Sequence, residues 1–364
     1  MKYKNPVIPI SLLFILLFFG VKHTVAQNVH KTPYYFSLDY RTGENKPHRE
    51  VIRNLTYPYR GIDLKFGWQT IGKQPWQVAY RYPKFGIGLN WATFKTDVIG
   101  TPYALYFFTN FPQISTKWAD LDLNVELGLS HGIHPYDSIS NPNNFSTGSN
   151  FNAYFGFYLE QLVHLGKHVD AFVSEGFTHY SNGALDYPNL GLNIPSLKFG
   201  VRYQPNYEEK RDKGLKPEFE RNWTLVTNVG GGARTWNAPT LDYRELLISP
   251  AIYYQPGYKR RVGLGLEMAY NESIRIVYGR EDEKGKELLT YAVFAAHEFL
   301  IKRFTIVTQF GIYLYNMPSD KFYYERIGIG FYLTPSTRVV LNLKAHYFKA
   351  EYVETGLVFD LKFK

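Results

Sequence analysis

The chain has 364 residues, a formal net charge of +9 and no cysteine. The lack of cysteine excludes disulfides and thiolate metal sites, and no basic stripe favours nucleic acid as a partner. Tyrosine (31) and phenylalanine (27) are abundant while methionine (3) is scarce. This composition is typical of an outer-membrane β-barrel with aromatic girdles and also compatible with a secreted β-sandwich.

The N-terminus predicts a secretory signal peptide. Lys2 and Lys4 precede an apolar run over Ile8–Val21, and Thr24-Val25-Ala26 follows with small residues at the third and first positions before the proposed cut. We expect residues 1–26 to be cleaved after Ala26 during export. A single anchoring helix is the less favoured alternative, because the run is short for the ~20 residues of a membrane span.

Alternation of apolar and polar residues predicts β-strands along the rest of the chain. The clearest alternating runs are Asp120–Ser130, Arg261–Ala269, Ile327–Leu333 and Leu357–Phe363. Further strand-like runs lie near 33–41, 61–69, 84–94, 101–109, 151–164, 168–180, 222–234, 245–254, 288–301 and 303–315. Turn residues separate these runs, and the polar segment Ser138–Asn150 is typical of an exposed loop.

The predicted fold class is all-β, an antiparallel outer-membrane β-barrel. At about 20 residues per strand with its connection, the chain allows roughly 14–16 strands. A single large barrel is favoured because the second half lacks a complete second motif, and two tandem eight-stranded barrels are the alternative. Residues 27–205 would then form one half, 206–221 a charged connector, and 222–364 a second half that completes the barrel or is a degenerate duplicate.

The C-terminal strand indicates how the chain reaches its membrane. Glu354-Thr355-Gly356 precedes Phe359, Leu361 and Phe363. This ending resembles the signal by which bacterial outer-membrane barrels are recognised, although Lys364 follows the last aromatic residue. It implies the barrel assembly machinery as a partner during insertion into the bacterial outer membrane.

A candidate site lies at the end of a predicted strand. His179 and Ser181 are two residues apart, so in a strand their side chains point to the same face. Leu197 and Phe199 mark the outward face of the following strand, and Lys198 marks the inward one. The same alternation in the earlier strand places His179 and Ser181 on the outward, lipid side, where polar residues are costly and therefore candidates for function.

This stretch resembles the lipid A 3-O-deacylase (PagL-type) family of outer-membrane hydrolases. The matching motif is His179-x-Ser181-Asn182, followed by the turn Pro188-Asn189-x-Gly191 and a final strand. The match is good over about 30 residues and extends in general character over 30–205. The resemblance implies a serine nucleophile and a histidine base on the barrel exterior, which cut an ester-linked acyl chain from lipid A or lipopolysaccharide without a cofactor.

Two departures accompany the resemblance. The family's acidic residue lies about fourteen residues beyond the histidine, and this chain has Asn193 there. An asparagine accepts a hydrogen bond from the histidine but cannot stabilise an imidazolium by charge, so Asp186 in the turn is the candidate substitute acid. The resemblance also leaves the region from Asn206 onwards unexplained.

The expected mechanism has Ser181 attack the ester carbonyl, with His179 as general base and then general acid. Asn182 or backbone N–H groups of the Ser181–Gly183 turn would stabilise the oxyanion. The alternative function is a non-catalytic barrel, a channel or a structural protein, that keeps a decayed motif.

Two other histidine features carry less weight. His131 and His134 lie three residues apart with Asp137 nearby, which suggests a metal, but loops at strand ends commonly carry such residues, and no metal site is predicted. Ala345-His346-Tyr347 echoes Thr178-His179-Tyr180. The alternation places His346 on the inward face, and Phe348 stands where a second serine would fall.

Overall fold

The computed structural model describes residues 32–206, 218–235, 242–272, 274–277, 285–316 and 321–363. The proposed signal peptide and most of the charged connector lie outside these ranges. Sixteen strands form two closed antiparallel barrels of eight strands each. No helix among the described residues is long and apolar enough to cross a membrane.

The first barrel closes because β8 pairs with β1, with Val201 opposite Leu38. A short 3₁₀ turn (Glu50–Leu55) and a short helix (Pro75–Ala79) lie in its connections. Its strands are β1 Tyr34–Glu44, β2 Pro58–Gln69, β3 Lys84–Thr93, β4 Gly100–Ser115, β5 Ala119–Ile133, β6 Asn152–His164, β7 Val169–Ser181 and β8 Leu192–Tyr203.

The second barrel closes in the same way, through pairing of β16 with β9. A short helix (Ile274–Val277) and a 3₁₀ turn (Gly285–Leu288) lie between two of its strands. Its strands are β9 Asn222–Thr235, β10 Asp242–Gln255, β11 Arg260–Asn271, β12 Leu289–Ile301, β13 Phe304–Tyr315, β14 Tyr323–Thr334, β15 Thr337–His346 and β16 Lys349–Phe363.

The all-β barrel class is confirmed, and of the two predicted architectures the structure has the tandem one. The favoured single barrel was wrong, because β1 is hydrogen-bonded to β8 and leaves no edge for β9. An eight-stranded barrel is narrow enough for side chains to fill its interior. Both halves of the chain form barrels of this size.

Buried ion pairs fill the first barrel. The Arg41 guanidinium donates to both carboxylate oxygens of Asp63 at 3.1 and 2.7 Å and to Tyr154 at 2.6 Å. Lys198 donates to Glu126 at 2.5 Å. These side chains are buried, so their charges are compensated by partners rather than by water.

The second barrel has an equivalent ionic interior. Arg326 pairs with Glu267 at 2.6 Å, and Arg338 pairs with Glu298 at 2.6 Å. Lys344 lies 3.1 Å from Glu267. Neither interior therefore matches the water-filled lumen of a large porin.

The outer faces are apolar. In β8 the inward Lys198 is 0% exposed, whereas the outward Leu197 and Phe199 are 43% and 48% exposed, so the predicted alternation in this strand is confirmed. Large apolar side chains also cover the outer faces of the other strands. Such a continuous exposed apolar belt is stable in hydrocarbon and not in water.

The connections at the two ends of the first barrel differ. The end opposite the termini carries segments 45–57, 94–99, 134–151 and 182–191, and the other end has two tight turns, at 116–118 and 165–168, and the longer segment 70–83. Outer-membrane barrels place long loops outside the cell and short turns in the periplasm. The end of β7 that carries the candidate motif lies on the long-loop side.

Candidate active site on the outer rim of the first barrel

His179 lies on the outer face of β7, near the end of the strand. Its neighbours Thr178 and Tyr180 are buried in the barrel interior, whereas His179 and Ser181 are half-buried. The two candidate residues therefore share the outward face, as the alternation predicts. His179 pairs across the sheet with Asn193 of β8.

The imidazole is held from two sides. Its Nδ1 lies 2.8 Å from Oδ1 of Asn193. The Phe177 ring stacks beside it, with centroids 6.0 Å apart and planes inclined by 19°. Since Oδ1 can only accept, Nδ1 carries the proton, and Nε2 is left with the lone pair that a general base requires.

Gly191 leaves room for the imidazole. A Cβ built on this residue would lie 2.8 Å from Cε1 and 3.4 Å from Nε2 of His179. Its φ of +71° is in the left-handed region, which glycine adopts without steric cost. Glycine is therefore favoured at position 191 for two physical reasons: the close approach of the imidazole and the left-handed turn conformation.

Ser181 is the last residue of β7 and lies opposite Ala153 of β6. Within the described chain its hydroxyl makes no hydrogen bond to His179. The two Cα atoms are about 6–7 Å apart at ordinary strand rise. The two side chains are therefore neighbours on one face.

The two residues predicted to bind the oxyanion are placed differently. Asn182 is buried, and its amide donates to the carbonyl of Asp186 at 2.8 Å, while its own N–H donates to Oδ1 of Asn189 at 2.9 Å. These bonds shape the turn and occupy its donors. The Gly183 N–H has no hydrogen-bond partner among the described residues, and a Cβ at Gly183 would lie 3.0 Å from Val353 of the second barrel.

Asp186 is not brought to the histidine. Its carboxylate accepts the N–H of Tyr187 at 2.9 Å in an exposed part of the loop. Nδ1 of His179 is already bonded to Asn193. The structure therefore joins His179 to the asparagine at the family's acid position rather than to the substitute acid.

A third polar residue, His48, also contacts this group. Its Nδ1 lies 2.9 Å from Nδ2 of Asn193. Loop 45–57 brings it there, because β1 and β8 are neighbours in the closed barrel. The sequence held no signal for it, since the two residues are 145 positions apart and loop histidines are common.

The other histidine features have structural partners. Nδ1 of His131 lies 2.7 Å from the hydroxyl of Tyr103, and Nδ1 of His134 lies 2.7 Å from the Asp97 carbonyl. Asp137 accepts two backbone N–H groups of its own loop. No group of three or more histidine and acidic side chains in the described ranges is arranged to hold a metal ion.

The second barrel has a different arrangement at the equivalent rim. His346 points into its interior, where Nε2 lies 2.9 Å from the Tyr313 hydroxyl and Nδ1 contacts Glu351. Phe348 is exposed. The inward orientation predicted for His346 is confirmed, so the described residues of this rim do not form an outward histidine–serine pair.

Comparisons with protein families cover both barrels. Residues 60–202 match the family model described as lipid A 3-O-deacylase (PagL), and residues 221–363 match the model described as acyloxyacyl hydrolase, C-terminal domain. The first match contains His179, Ser181 and Asn193, whereas His48 lies before its first residue. The second covers the region that the motif alone left unexplained.

Comparisons with individual proteins add little. No curated protein matches the chain. Among solved structures, a mutant porin of Rh. blastica matches at 12% identity over 90% of this chain and 100% of that chain, with a TM-score of 0.19. The outer membrane protein Omp33 of Acinetobacter baumannii matches at 7% identity over 91% and 99%, with a TM-score of 0.19. Superpositions with such TM-scores have no bearing on the fold or the function.

Proposed function

We propose that this chain removes an ester-linked acyl chain from lipid A or a related acylated glycolipid by a serine–histidine mechanism. The chain belongs to the lipid A 3-O-deacylase and acyloxyacyl hydrolase family of outer-membrane barrels. The observation that carries the proposal is the outward-facing His179, which lies on the same face as Ser181 and is held at Nδ1 by Asn193, with no hydrogen bond to Nε2 from the described residues.

The proposed reaction has two stages. Rotation of the Ser181 side chain brings Oγ to Nε2 of His179, which takes the hydroxyl proton as Oγ attacks the ester carbonyl. His179 then gives that proton to the departing sugar oxygen, and the acyl group stays on Ser181. A water molecule, deprotonated by the same Nε2, attacks the acyl-enzyme and releases the fatty acid and the free serine.

The negative oxygen that forms in each stage needs a donor. We assign this role to the N–H of Gly183, because the donors of Asn182 are engaged in the turn. A backbone N–H held in a fixed turn stabilises an oxyanion without reorganisation at the moment of reaction.

The weak element of the site is Asn193. It orients the imidazole through Oδ1 but has no charge to stabilise the imidazolium. An aspartate-to-asparagine change in serine proteases costs about 10⁴ in turnover because the histidine takes the wrong tautomer, so this value is an upper limit here, where Nδ1 of His179 keeps the proton. We therefore expect a slow enzyme, and the barrel exterior, where a lipid ester can reach Ser181 without leaving the membrane, compensates by local concentration of substrate.

The membrane context belongs to the same proposal. An N-terminal signal peptide of residues 1–26 would direct export, and the barrel assembly machinery would insert both barrels. Residues 27–205 and 222–364 would be the two domains, joined by the charged connector 206–221. Ala153, whose small side chain lies directly opposite the serine, would leave room for an acyl chain beside Ser181.

The test is deacylation of purified lipid A by the detergent-solubilised protein, with acyl content read by mass spectrometry. We expect loss of one acyl chain with the wild type and none with Ser181→Ala. The matched control is Ser174→Ala, since Ser174 lies inward on the same strand, and its hydroxyl has no hydrogen-bond partner in the part of the chain that the structure describes. Equal acyl content with wild type and Ser181→Ala would favour the non-catalytic barrel. Conductance in planar bilayers would then test whether that barrel is a channel.

A further inference from the structure

An asparagine at the acid position creates a problem that a carboxylate does not have. The two oxygens of a carboxylate are equivalent, so either can accept the proton of Nδ1. The side-chain amide of asparagine has an accepting end and a donating end. If the amide turned over, its NH₂ group would face His179, which would then have to accept at Nδ1 and carry its proton on Nε2.

The structure shows what holds the amide in the useful orientation. The NH₂ end of Asn193 lies 2.9 Å from Nδ1 of His48, and the oxygen end lies 2.8 Å from Nδ1 of His179. The three side chains thus form a chain of directed hydrogen bonds. Read from His48, each group accepts from the next: His48 from the amide, and the amide from His179.

The loop that carries His48 is fixed to Asn193 itself. The N–H of Asn193 donates to Oδ1 of Asn45 at 2.9 Å, and the N–H of Lys46 donates to the Asn193 carbonyl at 2.7 Å. The Asn45 amide in turn donates to the carbonyl of Leu55 at 2.7 Å. Both ends of loop 45–57 are therefore tied together, and His48 stands two positions beyond the second anchor.

We propose that His48 is a positioning residue of this site: by accepting a hydrogen bond from the NH₂ end of Asn193, it keeps the amide oxygen on Nδ1 of His179 and the base lone pair on Nε2. This inference rests on the proposed function for its effect on turnover. Its structural content, the tautomer of His179, is independent of any substrate.

Only a neutral His48 can accept this bond. Burial and the nearby Arg49 guanidinium lower the pKa of His48 below its ordinary value, which keeps it neutral at neutral pH. Among the described residues, the charged or titratable groups that interact electrostatically with His48 are Arg49 and His179. Once protonated, His48 donates from Nδ1, which favours the turned-over amide and the unproductive tautomer. Activity should therefore fall as pH drops through the pKa of His48.

The first test compares two replacements of His48 with a control. His48→Phe removes the acceptor and should lower kcat by between ten-fold and the ~10⁴-fold that a wrong tautomer costs serine proteases, with KM nearly unchanged. His48→Glu keeps an acceptor and should retain most of kcat. The control is His168→Phe, at the opposite end of the barrel, where His168 contacts the Gln204 carbonyl.

The second test places His48→Phe in an Asn193→Asp background. A carboxylate offers an oxygen to His179 in either orientation, so the loss caused by His48→Phe should shrink to less than two-fold. An equal loss in both backgrounds would show that His48 acts by supporting the loop, and would overturn the inference.

The third test needs no activity. Nitrogen NMR of ¹⁵N-histidine-labelled protein in micelles reports the tautomer of each ring, and a His179→Gln sample identifies the signals of His179. We expect the proton on Nδ1 in the wild type and a shift towards Nε2 in His48→Phe. An unchanged tautomer would overturn the inference even if the enzyme is active. A changed tautomer in a protein that deacylates nothing would uphold it while the proposed function fails.

Discussion

Gly191→Ala tests whether the turn after β7 is shaped for the imidazole. The new Cβ would lie 2.8 Å from Cε1 of His179 and 3.2 Å from the Tyr180 carbonyl. Carbon atoms in contact prefer about 3.5–4 Å, so the ring has to move by roughly 0.7 Å or more. The alanine would also keep a φ of +71°, which costs a residue with a Cβ about 1–2 kcal/mol.

The ring has little freedom to absorb this shift. Phe177 stacks on it, and the hydrogen bond from Nδ1 to Asn193 is 2.8 Å long. Movement away from Gly191 therefore lengthens that bond or displaces Nε2 from the serine. Misplacement of a catalytic group by about 1 Å can cost about 10²-fold in rate. We expect Gly191→Ala to lower kcat by roughly 10- to 100-fold and the free energy of unfolding by about 1–2 kcal/mol.

Gly72→Ala is the matched control. Gly72 has a φ of +84°, and its Cβ would lie 2.8 Å from Cε1 of Tyr82 in the segment between β2 and β3, at the other end of the same barrel. The two variants share the backbone strain and the aromatic clash, but only one affects His179. Deacylation of lipid A and urea unfolding in micelles are measured for both. Full activity in Gly191→Ala, or an equal loss in Gly72→Ala, would refute this account of the turn.

Two further substitutions test the charge at the site and the interior. Asn193→Asp should raise the single-turnover rate of deacylation, with the ~10⁴-fold effect in serine proteases as the upper limit, because a carboxylate stabilises the imidazolium; a slower variant would contradict this. Arg41→Met should destabilise the first barrel by about 3–5 kcal/mol in urea unfolding, because Asp63 loses a buried partner. Arg53→Met, which removes an exposed cation paired with Glu50, should cost less than about 1 kcal/mol, and equal losses would refute the importance of the buried network.

Local alternation accounts for what the sequence predicted well. The inward Lys198 and outward Leu197 follow from a period of two, and the outward position of His179 follows from the same count along β7. These are properties of one strand and its nearest neighbour. They require no knowledge of how the sheet closes.

Barrel closure is a property of distant residues, and here the prediction failed. Whether β8 pairs with β1 or with β9 leaves the alternation of each strand unchanged, so the pattern allowed one barrel or two. His48 was missed for the same reason. It reaches Asn193 only because β1 and β8 are joined, and the loop between β1 and β2 has no periodicity from which a contact can be inferred.

The closed interiors bear on where the proposed reaction can take place. Both lumens are filled by ion pairs such as Arg41 with Asp63 and Arg326 with Glu267, and a lipid ester cannot enter them. An enzyme built on such a barrel has only its rims and its outer face to offer. On the proposed mechanism, the outer face near the long-loop rim is also where the ester linkage of a membrane glycolipid lies, below the sugar and above the acyl chains.

The second barrel has a similar ionic interior, but its His346 points inward. On the proposed mechanism it would therefore not provide a second site. Its contribution would be to the surface beside Gly183, where Val353 approaches the turn.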